Sequence, residues 1–518
     1  YLPGPYQDFY SPLANLVPMF STEKAQRLAM GARMLTQAVP LVGAEAPLVR
    51  NAIPGTQGKR AYDEEYATYA GAIRAPQGGK VVAADADSIQ VRYENGQEQT
   101  FDLYNNHPSN RKTYFHQQSL LKPGDTFKAG QAIAKSNYTD DTGAIALGRN
   151  LRAAFIPFRG LNFEDAVVIS ESAAKKLTSE HAYQHGITPD PSLKLGKAPY
   201  LGLFAAKYPR DKIDRMDDTG LIQPGHRVEY GDPLILAAKE RPQDGSRIHK
   251  KGAQSYADAT VTWEHEDPGV VTDVAMSKSG PVVVVRSLSA SKVGDKLSGR
   301  HGNKAIISGI IPDAEMPRDP KGRPFEVLFG SEGVTTRANP AQKFEMWLGK
   351  IAEQTGKPVR VEDFDGTEDR ADWVFRKLAA AGLTSRETVK DPDTGLDIPN
   401  VATGNMWVMK LGHMAEAKEQ ARGGGGYTAD DTPSKGGYGG SKRLGLLNIA
   451  ALMSHGAHEL AREAGSIRGT RPEDFWNLFM RGENPREPGE PTVYRKFWDN
   501  LHAAGVRLYR QNHKVHLM

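Results

Sequence analysis

The sequence contains no cysteine among its 518 residues. That absence excludes disulfide bonds, thiolate zinc sites, iron–sulfur clusters and cysteine nucleophiles. Apolar runs are also short, since the densest is Pro281 to Val285, whereas a membrane-spanning helix needs roughly 18 or more apolar residues. We therefore expect a protein with no membrane partner and a cytoplasmic location.

Net charge is nearly absent as well. Lys and Arg together number 66 and Asp and Glu number 62, which leaves a formal charge of +4. The whole chain therefore gives no sign of a polyanionic partner. From Arg286 to Lys350, however, there are eleven Lys or Arg residues and seven Asp or Glu residues. Charge collected in one place can attract a phosphate backbone even when the chain is close to neutral.

The length and composition are those of a multidomain globular protein. A chain of 518 residues predicts roughly three domains. A hydrophobic fraction of 39% with 25% charged residues excludes wholesale disorder. Because the chain starts at Tyr1, without methionine or a signal-like segment, we expect its natural start to be cut or to lie elsewhere.

Helices are predicted towards both ends of the chain. Ser21 to Ala38 has small apolar residues that share one helical face, namely Ala25, Leu28, Ala29 and Ala32. Asn339 and Pro340 predict an N-cap and a first helical residue, and Gly356 predicts the end of that helix. Leu446 to Ala464 predicts one long helix.

The middle of the chain predicts short strands. Asn95-Gly96 is the strongest hairpin signal. Two segments share a Pro-Gly pair and a closing glycine, Lys122 to Gly130 and Gln223 to Gly231, and they predict two similar hairpins. Ser179 to Asp217 is polar and predicts irregular structure.

The densest chemical signal lies between Ser291 and Lys304. This stretch interleaves three glycines with five side chains that carry or can carry positive charge, namely Lys292, Lys296, Arg300, His301 and Lys304. Glycine lets a backbone approach a ligand closely, and Lys and Arg bind phosphates. The P-loop interpretation fails, because Arg300 and His301 stand where that motif needs Lys and Ser or Thr. The alternative is a solvated basic loop.

Adjacent acids precede an apolar run in the segment Gly160 to Ser170. Glu164 and Asp165 could orient a lysine or a metal-bound water, or they could form a solvated turn. Arg27 and Arg337 are single arginines that, from the residues alone, are typical of a surface.

A second acidic segment resembles a magnesium loop only in part. Asp363 and Asp365 fit an Asp-x-Asp-Gly-Asp loop, but Thr367 replaces its third carboxylate. We therefore favour a helix-entry turn over a metal site.

Two of these segments resemble a known family. Val293 to Lys304 and Gly160 to Glu171 closely resemble signatures of the second-largest (β) subunit of multisubunit DNA-directed RNA polymerases, and the bacterial type fits best. Further segments correspond in the family's order: Leu13 to Val49, Ala146 to Leu151, Ile311-Pro312, Met316-Pro317, Gly404 to Leu411 and, more loosely, Gly437 to Leu452. The resemblance spans nearly the whole chain.

The resemblance implies an α+β multidomain fold. It has a double-psi β-barrel with a hybrid-binding region, an inserted and reduced flap, and a helical C-terminal clamp or anchor module. The implied segments are 1–60 (fork and active-centre entry), 61–175 (first part of the barrel and hybrid-binding domain), 176–268 (reduced flap or wall), 269–400 (second part of the barrel) and 401–518 (C-terminal module with a switch-like glycine-rich loop at 423–440).

The resemblance also implies residue roles. Lys296 and Lys304 would lie at the RNA 3′ end and the reactive phosphates. Arg27 and Arg337 would contact the nucleoside triphosphate, with Glu164 and Asp165 beside the second metal. The residues implied as nucleic-acid contacts are Gln37, Arg300, His301 and Asn303.

The family places its metal-binding aspartates in another chain. We therefore expect Mg²⁺ to be held mainly by a beta-prime-type subunit, and this chain to be inactive alone. Other implied partners are an N-terminal half of β as a separate chain or cleaved fragment, an initiation factor, the DNA template, the RNA–DNA hybrid and NTPs.

Departures from the family pattern indicate a diverged or split subunit. The family's lobe and protrusion would precede Tyr1, so the chain resembles a C-terminal half. Arg33 and Thr36 stand where bacterial enzymes usually carry other polar residues. A bacteriophage is one candidate source, with host cytoplasm or virion as the location. A non-catalytic nucleic-acid-binding scaffold derived from a polymerase barrel is the alternative function.

Overall fold

The computed structural model describes residues 9–110, 112–240, 255–364, 368–418, 422, 426–436, 440–471, 473–484, 492–511 and 514–517. The chain divides into two compact units, Tyr1–Ala417 and Lys418–Met518. Helices and many small sheets occur together, which confirms the predicted α+β class.

The helices and strands are numbered in chain order. The α-helices are α1 Pro12–Asn15, α2 Ala25–Leu35, α3 Tyr62–Glu65, α4 Glu171–Lys176, α5 Lys197–Phe204, α6 Arg210–Ile213, α7 Glu332–Thr336, α8 Ala341–Thr355, α9 Arg370–Ala380, α10 Leu446–Ser454, α11 His458–Ser466, α12 Glu473–Met480 and α13 Thr492–Ala503. The strands are β1 Val49–Asn51, β2 Ile73–Arg74, β3 Gly79–Ala84, β4 Ser88–Tyr93, β5 Glu98–Asp102, β6 His107–Ser109, β7 Thr113–Phe115, β8 Gln117–Ser119, β9 Thr126–Phe127, β10 Ala132–Ser136, β11 Arg149–Phe155, β12 Ala166–Ser170, β13 Ser179–Gly186, β14 Leu193–Leu195, β15 Arg227–Val228, β16 Pro233–Ile235, β17 Ala237–Glu240, β18 Tyr256–Asp258, β19 Val261–Thr262, β20 Gly269–Ser277, β21 Gly280–Ser289, β22 Lys296–Ser298, β23 Lys304–Ile311, β24 Val327–Phe329, β25 Val359–Val361, β26 Arg386–Lys390, β27 Asp397–Lys410, β28 Leu508–Gln511 and β29 Lys514–Leu517.

Six strands of the first unit pair in a closed ring. Their order is β11, β24, β12, β23, β22 and β27, and the antiparallel pairing of β27 with β11 joins the two ends. The pairs β11–β24 and β12–β23 are parallel, and the other neighbours in the ring are antiparallel. β26 pairs with another part of the long strand β27. Closure removes the free edges that an open sheet of these strands would expose.

Alternate residues of the ring strands enter two different cores. In β12, Val167 and Ile169 belong to one core and Val168 to the other. In β11, Ala153 and Ala154 divide in the same way. Because side chains alternate along a strand, burial of both faces makes 166–170 read as a continuous apolar run.

An insertion with its own core lies between ring strands β12 and β22. β13 and β21, at its two ends, are antiparallel partners, and β20 and β15 extend the same sheet. Tyr200 and Trp263 are fully buried in its core, beside Tyr183. The insertion therefore runs from β13 to β21, beyond the boundary at residue 268 that the resemblance implied.

The prediction of irregular structure for Ser179 to Asp217 is wrong. This range contains β13, β14, α5 and α6. Its apolar residues are separated by polar ones and form a core only together with residues between positions 221 and 285, so no local pattern predicted these elements.

The two Pro-Gly segments resemble each other, as predicted, but they are not hairpins, because the strand in each pairs with a strand outside the segment. The N–H of Gly124 donates to the carbonyl of Val81 at 2.9 Å, and the N–H of Gly225 donates to that of Val271 at 2.8 Å. Each glycine is followed by a two-residue strand, β9 or β15, that pairs antiparallel with β3 or β20. Both long partners change register directly after that valine. The Asn95-Gly96 hairpin is also present, between β4 and β5.

Helix α2 is shorter than predicted and buries a different face. Its buried residues include Leu28, Gly31 and Leu35, whereas Ala25 and Ala29 are exposed. The alanines share a helical face, but the close approach of another segment at Gly31 decides which face is covered.

Helix α8 ends as predicted and begins differently. Gly356 takes a left-handed conformation with φ 65° directly after the last helical residue. Pro340, not Asn339, is the N-cap residue. The side-chain amide of Asn339 instead donates to the carbonyl of His301 at 2.6 Å.

In the second unit, the single helix predicted from Leu446 to Ala464 is divided into α10 and α11. Gly456 has φ 71°, and its N–H donates to the carbonyl of Met453 at 3.1 Å. A left-handed glycine of this kind ends a helix. The predicted glycine-rich loop at 423–440 lies partly outside the described residues.

The predicted start of the C-terminal module, residue 401, falls inside β27, which continues to Lys410. The observed division between units comes later, after Ala417. Among the described residues, no helix combines the length and the apolar character needed to cross a membrane.

Candidate functional site

A hairpin of the closed ring carries the two lysines singled out from the sequence. β22 and β23 are antiparallel, with Lys296 opposite Ile306 and Ser298 opposite Lys304. In such a ladder, opposite residues and those two positions along project from the same face. Lys296 and Lys304 are therefore diagonal neighbours on one face, and both side chains are partly exposed.

The acidic pair precedes the strand next to this hairpin. Ala166 of β12 is in register with Ile306, whose N–H donates to the carbonyl of Asp165 at 2.8 Å. Because neighbouring strands lie about 4.8 Å apart, the backbone of Asp165 is one strand from Ile306 and two from Lys296. Glu164 and Asp165 are both exposed. The fold thus gathers acids and lysines that are far apart in the chain.

Arg337 pairs with this acidic site. Its Nη1 and Nη2 donate to the two carboxylate oxygens of Asp165, the second at 2.9 Å. These hydrogen bonds, with the charge of Asp165, raise the pKa of Arg337. An anion that binds this guanidinium must therefore compete with a carboxylate already in place.

Arg300, in the turn between the two strands, is completely buried. Its Nη2 donates to Oε1 of Glu345 at 2.6 Å and to the carbonyl of Val49 at 2.6 Å, and Nη1 donates to the carbonyl of Leu16 at 2.8 Å. Asp63 is a further buried acid, 3.8 Å from Nη1. The side chain thus ties the turn to three distant segments.

His301 is buried beside Arg300 between two acids. Its Nε2 lies 2.5 Å from Oε2 of Glu345, and its Nδ1 lies 3.4 Å from Oε2 of Glu23. Burial disfavours the charged imidazole, but hydrogen bonding and charge from the two glutamates outweigh it and raise the pKa of His301 to about 9. The histidine is therefore charged at neutral pH.

Helix α2 packs directly on the same turn. Gly31 is so close that a Cβ at this position would overlap the carbonyl oxygen of Arg300. Arg27, one turn earlier, donates through Nη1 to the carbonyl of Gly302 at 3.2 Å. Arg27 is partly exposed, so the structure places it beside the hairpin, and its contact with a triphosphate stays a prediction.

Gln37 lies on the other side of the hairpin with a histidine that the sequence analysis missed. Its Oε1 is 3.0 Å from Nε2 of His413, and its carbonyl accepts from the N–H of Gly412 at 2.9 Å. The N–H of Lys296 donates to the carbonyl of His413 at 3.3 Å. The available signal was position, because His413 lies two residues after the Gly404 to Leu411 segment.

Of the residues that the resemblance implies as nucleic-acid contacts, Arg300 and His301 are buried in this conformation, whereas Asn303 is partly exposed. Arg300 and His301 are 0% and 1% exposed, so neither side chain can reach a ligand outside the turn. The side-chain amide of Asn303 points to Sδ of Met406 at 3.7 Å. The contacts of Arg300 and His301 hold the turn in shape instead.

A second buried ion pair fixes the start of the hairpin. Oδ2 of Asp295 lies 3.3 Å from Nζ of Lys410, and both side chains are nearly inaccessible. Oδ1 of Asp295 accepts from the N–H of Ala415 at 2.8 Å. Burial lowers the pKa of Lys410, although Asp295 opposes this shift.

Asp363 has a structural role. Its Oδ1 accepts from the hydroxyl of Ser21 at 2.6 Å, and its Oδ2 accepts from the N–H of Phe20 at 3.2 Å. Burial raises its pKa to about 6. Asp365, its predicted companion, lies outside the described residues.

The raised pKa of His301 predicts a stability loss at alkaline pH. The imidazole has a pKa of about 9 in the folded protein against an ordinary value of 6.5, so its stabilisation is complete below pH 6.5 and disappears as pH rises through 9. The free energy of unfolding should fall by about 2 kcal/mol between pH 7 and pH 9. Urea denaturation at several pH values measures this loss. His301→Gln should lack this part of the dependence, and an identical slope in the variant would contradict the assignment.

The chain is similar to known proteins over almost its whole length. The family model described as RNA polymerase Rpb2, domain 6, matches residues 74–432. A DNA-directed RNA polymerase subunit beta from Caldicellulosiruptor bescii is 31% identical, over 96% of this chain and 42% of that protein. Subunits of the same name from Streptococcus suis (31% identical, 95% and 43%) and Streptococcus pneumoniae (30%, 95% and 42%) match similarly.

These relatives agree with the resemblance seen in the sequence. The chain spans less than half the length of the curated relatives it matches, a share consistent with the C-terminal half of a beta subunit. The family match covers every strand of the closed ring. On this evidence, the chain belongs to the Rpb2 or beta-subunit family of DNA-directed RNA polymerases.

Proposed function

We propose that this chain contributes half of the active centre of a DNA-directed RNA polymerase. Lys296 and Lys304 would act on the RNA 3′ end and the reacting phosphates, because phosphoryl transfer redistributes negative charge that fixed cations stabilise. The observation that carries the proposal is the register of β22 and β23, which sets both lysines on one face of the hairpin.

The surrounding turn would keep these amines in position. Arg300, His301 and Glu345 form a buried charged network within it, and helix α2 covers it at Gly31. Preorganised cations need no rearrangement when charge develops, so a rigid support strengthens their effect.

The nucleoside triphosphate would bind beside the hairpin. Arg27 and Arg337 are the proposed phosphate ligands, with Arg337 exchanging Asp165 for phosphate oxygens. Glu164 and Asp165, both exposed, would then face the second metal. Gln37 would contact the hybrid or substrate together with His413.

Catalytic Mg²⁺ would come mainly from a beta-prime-type partner. Within the ranges that the structure describes, no cluster of three or more His, Asp or Glu side chains is arranged to hold a metal ion. Magnesium needs several oxygen ligands in octahedral geometry, so Glu164 and Asp165 do not form a complete site. When bound, the ion would polarise phosphate oxygens.

The remaining architecture fits the same proposal. The closed six-stranded ring would be the double-psi barrel, and the insertion from β13 to β21 the reduced flap. The unit Lys418–Met518 would be the clamp or anchor module. An N-terminal half of β, an initiation factor, DNA template and RNA–DNA hybrid would complete the assembly.

Primer extension tests the proposal. The isolated chain should add no nucleotide to an RNA primer on a DNA template, whereas the complex that purifies with it should extend the primer in the presence of Mg²⁺ and NTPs. Mass spectrometry of the complex should identify a companion with a full Asp-x-Asp-Gly-Asp loop.

Two outcomes would contradict this assignment. Synthesis by the isolated chain would show that it holds a complete metal site. Absence of both extension and the aspartate-loop companion would favour the alternative, a non-catalytic nucleic-acid-binding scaffold.

A further inference from the structure

A cavity of about 670 Å³ is lined by four arginines. It lies beside helix α3 and the parallel pair β1–β25, and neither Lys296 nor Lys304 lines it. Its volume is in the range of small-molecule sites, about 300–1,000 Å³. The charged side chains around it are Arg50, Arg60, Arg74, Arg360, Glu64 and Glu65.

Two of the arginines are placed side by side by strand register. β1 and β25 are parallel, with Arg50 directly beside Arg360. Both guanidinium groups share one carboxylate, that of Glu64, since Oε1 lies 2.8 Å from Nη1 of Arg50 and 2.6 Å from Nη2 of Arg360. Both arginines thereby lower the pKa of Glu64 against the opposing effect of burial. One carboxylate compensates one of these two positive charges.

The other two arginines do not reduce the excess of positive charge around the cavity. Arg60 pairs with Glu65, which makes that pair neutral. Arg74 donates to the carbonyl oxygens of Gly130 at 2.9 Å and Gly143 at 2.7 Å. Carbonyl oxygens satisfy hydrogen bonds but carry no formal charge. Four guanidinium groups thus surround the cavity with two carboxylates.

One buried donor also lacks an acceptor. In the part of the chain that the structure describes, Nε of Arg360 is buried without a hydrogen-bond partner. Leaving such a charged donor unsatisfied costs free energy, because it has lost its hydration. The cavity lining therefore carries four guanidinium groups and two carboxylates, and one of its arginines has a buried donor that no acceptor satisfies among the described residues; the buried Asp63, outside the lining, also interacts with Arg50.

We propose that this cavity binds a phosphate-bearing anion, with Arg50 and Arg360 as its principal ligands. Planar guanidinium groups bind phosphate oxygens in pairs, and two adjacent ones match a di- or triphosphate. Glu64 holds both groups in place and competes with the anion for them. This site is additional to the proposed polymerase centre and does not depend on it.

Binding of inorganic tripolyphosphate tests the site. Isothermal titration on the 518-residue chain, in the complex with which it purifies, should show saturable binding that Arg50→Gln and Arg360→Gln each weaken about tenfold or more. Glu64→Gln should strengthen binding, because it removes the competing carboxylate. A purely structural ion-pair cluster would instead lose stability without gaining affinity.

Arg92→Gln is the matched control. Arg92 is an exposed arginine paired with Glu98 in the same unit, so its loss should leave binding unchanged. Circular dichroism checks that each variant is folded. Single-stranded DNA added as a competitor separates the two sources of phosphate: displacement indicates a nucleic-acid backbone, and its failure indicates a free polyphosphate. Absence of saturable binding, or affinity that neither arginine variant changes, overturns the proposal.

Discussion

Lys304→Ala is expected to slow nucleotide addition by the assembled complex about 100-fold or more, the usual cost of removing one preorganised group that stabilises transition-state charge. Lys296→Ala should have an effect of the same order. The physical reason is that both amines are held on one face of the β22–β23 hairpin, where developing phosphate charge would meet them together. Single-nucleotide primer extension at saturating NTP measures the rate.

Two controls distinguish a defect in nucleotide addition from a defect in assembly of the complex. Lys321, an exposed lysine in a turn of the same unit, provides the matched control, and Lys321→Ala should extend primers at the wild-type rate. Gel filtration establishes that each variant still assembles. The double variant should lose less than the product of the single effects if the two amines act as a unit. Rates within twofold of wild type for both single variants would refute the assigned mechanism.

Glu345→Gln is expected to lower the free energy of unfolding by about 3–5 kcal/mol, because it leaves buried charges without their partner. Glu345 binds Arg300 at 2.6 Å and His301 at 2.5 Å, and all three side chains are almost inaccessible to solvent. Glutamine keeps the size of the side chain but removes its charge. Urea denaturation followed by tryptophan fluorescence measures the loss, and Trp347 on the same helix is a buried reporter.

An exposed ion pair provides the comparison for the buried network around Glu345. Glu98 and Arg92 lie 2.6 Å apart with more than half of each side chain exposed. Solvent screens such a pair, so Glu98→Gln should cost about 1 kcal/mol or less. Equal losses for Glu345→Gln and Glu98→Gln would mean that the buried network does not stabilise the turn.

The candidate site could be recognised from the sequence because its residues are concentrated in short segments. The lysines lie eight positions apart in a glycine-rich stretch, and Glu164 and Asp165 are adjacent. The turns of the two Pro-Gly segments could also be predicted from the sequence, because glycine favours a turn through its own backbone conformation. Local signals of this kind can be recognised without any knowledge of the fold.

The residues that support the hairpin turn could not be identified from local sequence patterns. Glu345 lies within helix α8, which also carries Lys343, Lys350 and Glu353, so nothing local distinguishes it or shows that it meets Arg300 and His301. Likewise, the sequence predicted that Arg300 and His301 contact nucleic acid, and only the structure shows that both are buried. Helix α2 demonstrates the same limit, since contact with the turn at Gly31, not its own alanine pattern, selects the buried face.

By itself, the sequence determined the family, the α+β class and the segments that carry the candidate active-centre residues. The tertiary structure alone decided which charges face solvent and which hold the turn. Parallel pairing places β12 beside the β22–β23 hairpin from a distant part of the chain, and it also sets Arg50 of β1 beside Arg360 of β25. The reason is physical: motif chemistry depends on neighbours in sequence, whereas burial and charge compensation depend on neighbours in space.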